Sequence, residues 1–259
     1  MAELPFYVIA GRGRWALRMK SLLAGEGRKV TSLEQTRRGA SEEEPSYHTR
    51  LLESFAASGA QIAWLCVPPG GHVPVMIKAA IEAGLHVILE KPWLCSSEDT
   101  HRLLTIAKAK QMLVAIHYEY CLLEKVESWR REWNDGSGLR FGGRMKTSRP
   151  DHIGLPALDN LGSHLFAIHE YCVANSSISE MDCEYERPNE RRVWLEKQHT
   201  RIAEIDLLAG KEPIIQRFIV RVEAAIRGAD FPLGLDFALR VAERAEVWKE
   251  TQASRPGEF

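Results

Sequence analysis

Neither charge is in excess in this sequence: 34 Lys and Arg stand against 35 Asp and Glu, a formal net charge of -1. Without a basic field or a long Lys/Arg block there is nothing to attract a phosphate backbone, and nucleic acid is not expected as a partner. Long apolar runs are also missing. No segment approaches the ~20 residues that cross a bilayer, and Met1 to Pro5 lacks the basic start and cleavage region of a secretory signal. A cytoplasmic protein with no membrane partner is therefore expected. The five cysteines, Cys66, Cys95, Cys121, Cys172 and Cys183, form no Cys-x-x-Cys pair, so neither a zinc site nor a disulfide framework is expected. Nine histidines show no His-Glu-x-x-His or similar spacing, and no metal is expected. Residues 254–259 read as a frayed end.

What is present is a globular composition. With 259 residues, 45% hydrophobic and 27% charged, the chain is long enough for two moderate domains. The amino half alternates strand and helix. Phe6 to Ala10 is an apolar β-type run that leads into Gly11 Arg12 Gly13 Arg14 Trp15 Ala16, and a helix-type stretch follows to Ala24, closed by Gly25. A Gly-x-Gly-x-x-Ala turn between strand and helix is the context of a dinucleotide fingerprint. Gly11 permits the tight turn, Gly13 lets a pyrophosphate approach the backbone, and Ala16 allows close helix packing. Amides at the helix start would hold the anion.

The next strand is expected near Lys29 to Leu33, and the residue that reads the ribose near its end. No acid stands there cleanly. Thr31 and Ser32 occupy the strand end, Glu34 comes late, and Arg37 and Arg38 follow. Arginine here suits a 2′-phosphate, which leans the cofactor towards NADP with NAD as the alternative, although the pair equally fits a polar loop. Leu51 to Ala57 reads as a helix and Gln61 to Val67 as a buried strand, ended by Pro68 Pro69 Gly70 Gly71. Val73, Ile77, Ala80 and Ile81 share a helical face, with Gly84 as its cap, and the strand His86 to Leu89 stops at Glu90 Lys91 Pro92. Ser96 and Asp99 form a capping pair for a helix to about Lys110, and Met112 to Ile116 gives another strand. The expected fold is an α/β Rossmann-type doubly wound parallel sheet over residues 1–117.

Gly11-x-Gly13, then Cys66 Val67 Pro68 Pro69 with His72, then Glu90 Lys91 Pro92, in this order and spacing, resembles the glucose-fructose oxidoreductase / inositol dehydrogenase / rhizopine-catabolism (Gfo/Idh/MocA) family, with this chain a short member. Two fainter similarities are Asn160 Leu161 Gly162 Ser163 His164, which looks like that family's Asp-x-Gly-x-His segment, and the closing helices over Phe218 to Gly228 and Pro232 to Glu250. The resemblance implies NAD(P)-dependent hydride transfer to or from a carbonyl, imine or sugar/polyol carbon. It implies Lys91 as the proton donor and acceptor, with Glu90 orienting it. Gly11, Arg12, Gly13, Arg14, Trp15, Arg37, Arg38, Val67, Pro68, His72, Glu90 and Lys91 would contact the cofactor, and His164 and Asn160 would face the substrate. An ammonium at a buried strand end can donate a proton as hydride arrives, and an imidazole titrates near neutrality. The chain also departs from the pattern: Asn160 replaces an aspartate and cannot carry a proton as a carboxylate does, and Ala167 stands where an acid often sits.

Beyond Ile116 the pattern changes. A helix-like stretch over Tyr118 to Trp133, a turn at Asn134 Asp135 Gly136 Ser137 Gly138, a strand at Leu139 to Thr147 and a loop at Pro150 to Pro156 precede three β-type runs. These lie near Ile178 to Glu186, Arg192 to Lys197 and Thr200 to Leu207, and consecutive antiparallel strands are the simplest connection. The expectation is a smaller α+β domain over 118–259, with an open, mainly antiparallel sheet serving substrate binding or oligomerisation. Because the resemblance implies a sheet face used for pairing, a homodimer or higher oligomer is expected, with Trp194 either on that surface or in the core. The substrate is a small molecule, sugar-like or a biosynthetic imine. A cofactor-retaining elimination or hydrolysis, or a non-catalytic dinucleotide-binding sensor or scaffold, stay open as alternatives.

Overall fold

The structure is a computed structural model and describes residues 4–133, 135–148, 154–209 and 213–253. Met1 to Glu3, Asn134 of the expected turn, positions 150–153 of the expected loop and the 254–259 end lie outside the described residues. The chain divides into two compact units, one built from the amino-terminal part to His117 together with Val220–Phe237, the other from Tyr118–Ile219 and the segment from Ala238 onward.

In the first unit, strands β1 (Tyr7–Ala10), β2 (Val30–Leu33), β3 (Ile62–Leu65), β4 (His86–Leu89) and β5 (Val114–Ile116) form one sheet of order β2-β1-β3-β4-β5. All four ladders are parallel. β1 and β3 are buried at every position, as strands covered by helices on both faces must be. The connecting helices are α1 (Arg14–Gly25), α2 (Glu44–Ser58), α3 (His72–Glu82) and α4 (Ser97–Lys110). The capping pair is as read from the sequence: the Asp99 amide donates to Ser96 Oγ at 3.1 Å. The close of α1 differs. Gly25 ends the helix but the left-handed residue is Gly27, at φ 79°.

Helix α8 (Ile214–Ile226) carries the chain back into this unit. Glu223 is the anchor: its carboxylate accepts from Tyr7 Oη at 2.7 Å and from Arg28 Nε at 2.6 Å, all three side chains being buried. The Ile116 amide donates to the Leu233 carbonyl at 2.9 Å, which ties the returning segment to the edge of β5.

The second unit opens with a 3-10 turn at Glu119–Leu122 and α5 (Glu124–Glu132), where one helix was expected. Its strands are β6 (Arg140–Lys146), β7 (Ser177–Glu184), β8 (Glu190–Lys197) and β9 (Thr200–Asp206), in the order β7-β6-β8-β9. The expectation of consecutive antiparallel strands is corrected here: β7 pairs with β6, not β8, and does so in parallel. The reason lies in the connection, because α6 (Ala157–Asn160) and α7 (Gly162–Val173) intervene and a helical crossover returns the chain in the same direction. β6–β8 and β8–β9 are antiparallel. The β8–β9 turn consists of Gln198 and His199, both at positive φ, the geometry that matches strand twist.

The two faces of this sheet are defined by Gly142 and Gly143. A Cβ on Gly143 would stand 2.7 Å from Leu165 of α7, and one on Gly142 would stand 2.3 Å from the Trp194 ring on the opposite face. Trp194 is therefore buried at 3% exposure on the side away from α7, which interrupts the alternation expected of β8. Around it the outer face carries paired charges, including Arg144 with Asp182 at 2.7 Å and Lys146 with Glu186 at 2.7 Å. Helix α9 (Leu235–Ala253) closes the described chain.

Candidate functional site

Three connections leave the carboxyl edge of the first sheet side by side. Gly11 follows β1 with φ 141°, and a Cβ there would lie 2.3 Å from the Cys66 carbonyl oxygen after β3, so only glycine lets the two chains pass. Gly13 differs in kind. A Cβ at Gly13 would meet nothing within 4 Å, so this face of the turn is open, as a backbone approached by a ligand must be. Gly13 is the N-cap of α1, with no side-chain cap bond, and α1 has no acid in its first turn, which leaves its positive end suited to an anion. Ala16 is buried at 2% exposure, in the close-packing role read from the sequence.

Arg12, Arg14 and Gly13 are exposed, and Trp15 is half-buried beneath the Arg18 guanidinium, 5.0 Å from its ring. The Arg12 guanidinium reaches the Glu34 carbonyl just beyond β2. Arg38 donates through Nε to the Glu42 carbonyl at 2.7 Å, and Arg37 is exposed. Val67 and Pro68 lie between β3 and α3, whose first residue is His72. Burial lowers the pKa of the half-buried His72, favouring its neutral form.

Glu90 and Lys91 follow β4. The Glu90 amide extends the β3 ladder by donating to the Leu65 carbonyl at 3.2 Å, and the Lys91–Pro92 peptide is cis. The Glu90 side chain is held by groups of β3 and of the residue after β5. Its carboxylate accepts from Trp64 Nε1 at 2.7 Å and lies 3.2 Å from Nδ1 of His117, the residue directly after β5. Burial alone would raise the Glu90 pKa, but the facing His117, with hydrogen bonds from it and from the indoles, brings it below the usual carboxylate value. Glu90 is thus an anion at neutral pH. The His117 ring also meets Trp64 edge-on at 5.4 Å and Trp15 at 6.0 Å, linking the end of β5 to the start of α1. His117 was missed in the sequence, although its place one residue beyond an apolar strand marks it as a carboxyl-edge group.

The remaining predicted residues belong to the second unit. Asn160 ends α6 and donates through Nδ2 to Tyr185 Oη at 3.1 Å, which itself donates to the Leu155 carbonyl at 3.0 Å. Neighbouring Asp159 is paired with Lys249 at 2.8 Å. His164 stands in the first turn of α7 with 6% exposure, its ring edge-on to Tyr120 at 4.8 Å. Ala167 is completely buried. No group of three or more metal-ligating side chains occurs among the described residues.

A parallel sheet with a glycine turn at the first strand and an uncapped helix start behind it defines a dinucleotide-binding Rossmann domain. Residues 9–118 match the profile of the Gfo/Idh/MocA group, described as an oxidoreductase family with an NAD-binding Rossmann fold. An uncharacterized oxidoreductase of Bacillus subtilis, YfiI, is 32% identical over 77 residues, or 29% of this chain and 19% of that protein. Across the curated relatives it matches, the chain spans 19–34% of their length. Among solved structures, the UDP-N-acetylglucosamine 3-dehydrogenase GnnA of Acidithiobacillus ferrooxidans has the same fold over 94% of this chain and 96% of its own, with a TM-score of 0.73 and 14% identity. The WlbA dehydrogenase of Bordetella pertussis, solved with NADH and UDP-GlcNAcA, covers 98% of both chains at a TM-score of 0.71 and 13% identity.

Proposed function

We propose that the protein is an NAD(P)-dependent oxidoreductase that moves hydride to or from a carbon bearing oxygen or nitrogen, with Lys91 as the proton donor and acceptor. The observation that carries this reading is the row of groups on one sheet edge: the open Gly13 turn, the β3–α3 connection, and Lys91 beside the buried Glu90–His117 pair. When bound, the nicotinamide supplies or accepts the hydride. The chain's residues do the rest. Amides at the start of α1 hold the pyrophosphate, and Arg12 and Arg37 face a 2′-phosphate, favouring NADP over NAD. Val67, Pro68 and His72 line the cofactor on the β3 side. Lys91 Nζ gives a proton to the substrate oxygen or nitrogen as it becomes electron-rich, and takes one back in reverse.

Asn160 and His164 serve the substrate side. The Asn160 side chain, which donates to Tyr185, binds a substrate group, while His164 holds or protonates a substrate oxygen. A sugar-like small molecule suits these groups, and sugar-nucleotide chemistry in GnnA and WlbA agrees with it. The second reading, a dinucleotide-binding sensor without turnover, draws on the fully buried Ala167, which leaves no acid three residues after His164. We further infer a cytoplasmic homo-oligomer. The deciding experiment is a carbonyl and sugar screen, followed at the NAD(P)H absorbance band, of the native protein beside Lys91→Ala. Turnover that falls at least a hundredfold in the variant with cofactor affinity kept supports catalysis. Cofactor binding without Lys91-dependent turnover supports the sensor.

A further inference from the structure

Arg191 is an arginine on the wrong side of a strand. In β8 it is in step with Val193 and Leu195, both completely buried, and pairs across the ladder with Met145, at 1% exposure. Side chains two apart on a strand share a face, so Arg191 stands on the face that packs against α7, where an apolar residue is the rule. It is half-buried there. Elsewhere in this unit arginines meet carboxylates, as Arg144 does with Asp182 and Arg240 with Glu170. Among the described residues the polar partner of the Arg191 side chain is instead the Tyr120 hydroxyl, and its guanidinium lies 5.6 Å from the Tyr120 ring centre. The same ring meets that of His164 in an edge-on arrangement, 4.8 Å between centres. Tyr120 and His164 each have 6% exposure, so a buried phenol is the shared neighbour of the guanidinium and the imidazole.

A guanidinium has five N–H donors in a planar fork, and one bond to a neutral phenol leaves its charge and most of its donors unanswered. Such a group is suited to a two-pronged contact with a carboxylate or phosphate. We propose that Arg191, oriented by Tyr120, binds an oxyanion group of the substrate next to His164, so the substrate class is an acidic or phosphorylated small molecule. This rests on the reading of His164 as a substrate-side residue.

The test is calorimetric titration of the native protein with glucuronate, glucose 6-phosphate and glucose, three probes sharing one ring, each with and without NADH. Saturable binding of an anionic probe, absent for glucose, is expected, and the anion preferred separates carboxylate from phosphate. Arg191→Gln should weaken it on the order of 10- to 100-fold, the range of a charge-assisted contact. Arg191→Lys should restore part of the affinity, and Tyr120→Phe should weaken it several-fold with the charge retained. Circular dichroism establishes the fold of each variant, and the Lys and Phe variants carry the test if the Gln variant does not fold. No anion-specific binding to the native protein, or equal binding to Arg191→Gln, overturns the proposal. Failure of NADH alone to bind counts against the oxidoreductase reading and leaves the anion titration readable.

Discussion

Replacing Glu223 by alanine should destabilise the protein by about 3–5 kcal/mol, the usual effect of removing one partner from a buried ion pair. The structure supports this size. Glu223 has 3% exposure and accepts from Arg28 Nε at 2.6 Å, Arg28 Nη2 at 3.1 Å and Tyr7 Oη at 2.7 Å. Without it, a guanidinium at 9% exposure keeps, among the described residues, only Glu26, whose side chain is 27% exposed, and a fully buried phenol loses its acceptor. The lost acceptor alone costs about 1–3 kcal/mol, and the surviving Glu26 contact offsets part of the sum. Against a typical total of 5–15 kcal/mol this is a large fraction. Urea unfolding measures it, and amide exchange should locate faster opening in α8 and β1. The double change Arg28→Met with Glu223→Leu should recover most of the loss, because it leaves no buried charge. A loss below about 1 kcal/mol for Glu223→Ala, or a double variant no better than the single, would refute the reasoning.

His169 gives an acid-limb prediction. Burial first, and then the positive Arg244, depress its pKa to about 4, while the Ser176 backbone hydrogen bond opposes them. The folded value lies below the unfolded one of about 6.5, so its contribution is complete above that pH and is lost as pH falls towards 4, by roughly 3 kcal/mol. Urea midpoints of the native protein and His169→Gln, compared from pH 7 to 4, should converge as the pH falls. Gly142→Ala would put a methyl 2.3 Å from the Trp194 ring, and a cost of about 1–3 kcal/mol in urea unfolding is expected, largely recovered by Trp194→Leu.

Local patterns were readable in the sequence and long-range ones were not. The strand, glycine turn and helix from Tyr7 to Gly25, and the Ser96–Asp99 cap, depend on neighbouring residues, and the structure has both. The parallel β6–β7 pairing depends on how α6 and α7 carry the chain between them, which hydropathy does not report. The return of Val220–Phe237 to the first unit hangs on Glu223, which reads as one more charge on an amphipathic helix until Tyr7 and Arg28 are placed beside it. Among site residues, the turn glycines and Lys91 stand in a recognisable order. His117 and Arg191 do not: one acquires meaning from Glu90 of the neighbouring strand, and the other was hidden in the pair Arg191 Arg192, where only the face decides which is exposed.

The most direct test of the proposed nicotinamide site is a fluorescence titration with NADH and NADPH, exciting Trp15 and Trp64 near the Gly13 turn and reading energy transfer to the cofactor. The native protein should bind saturably, with NADPH preferred. Gly13→Val, whose side chain enters open space and an extended backbone at φ -74°, should fold like the native protein and lose that binding. Absence of binding to the native chain, or undiminished binding to a folded Gly13→Val, would contradict the account.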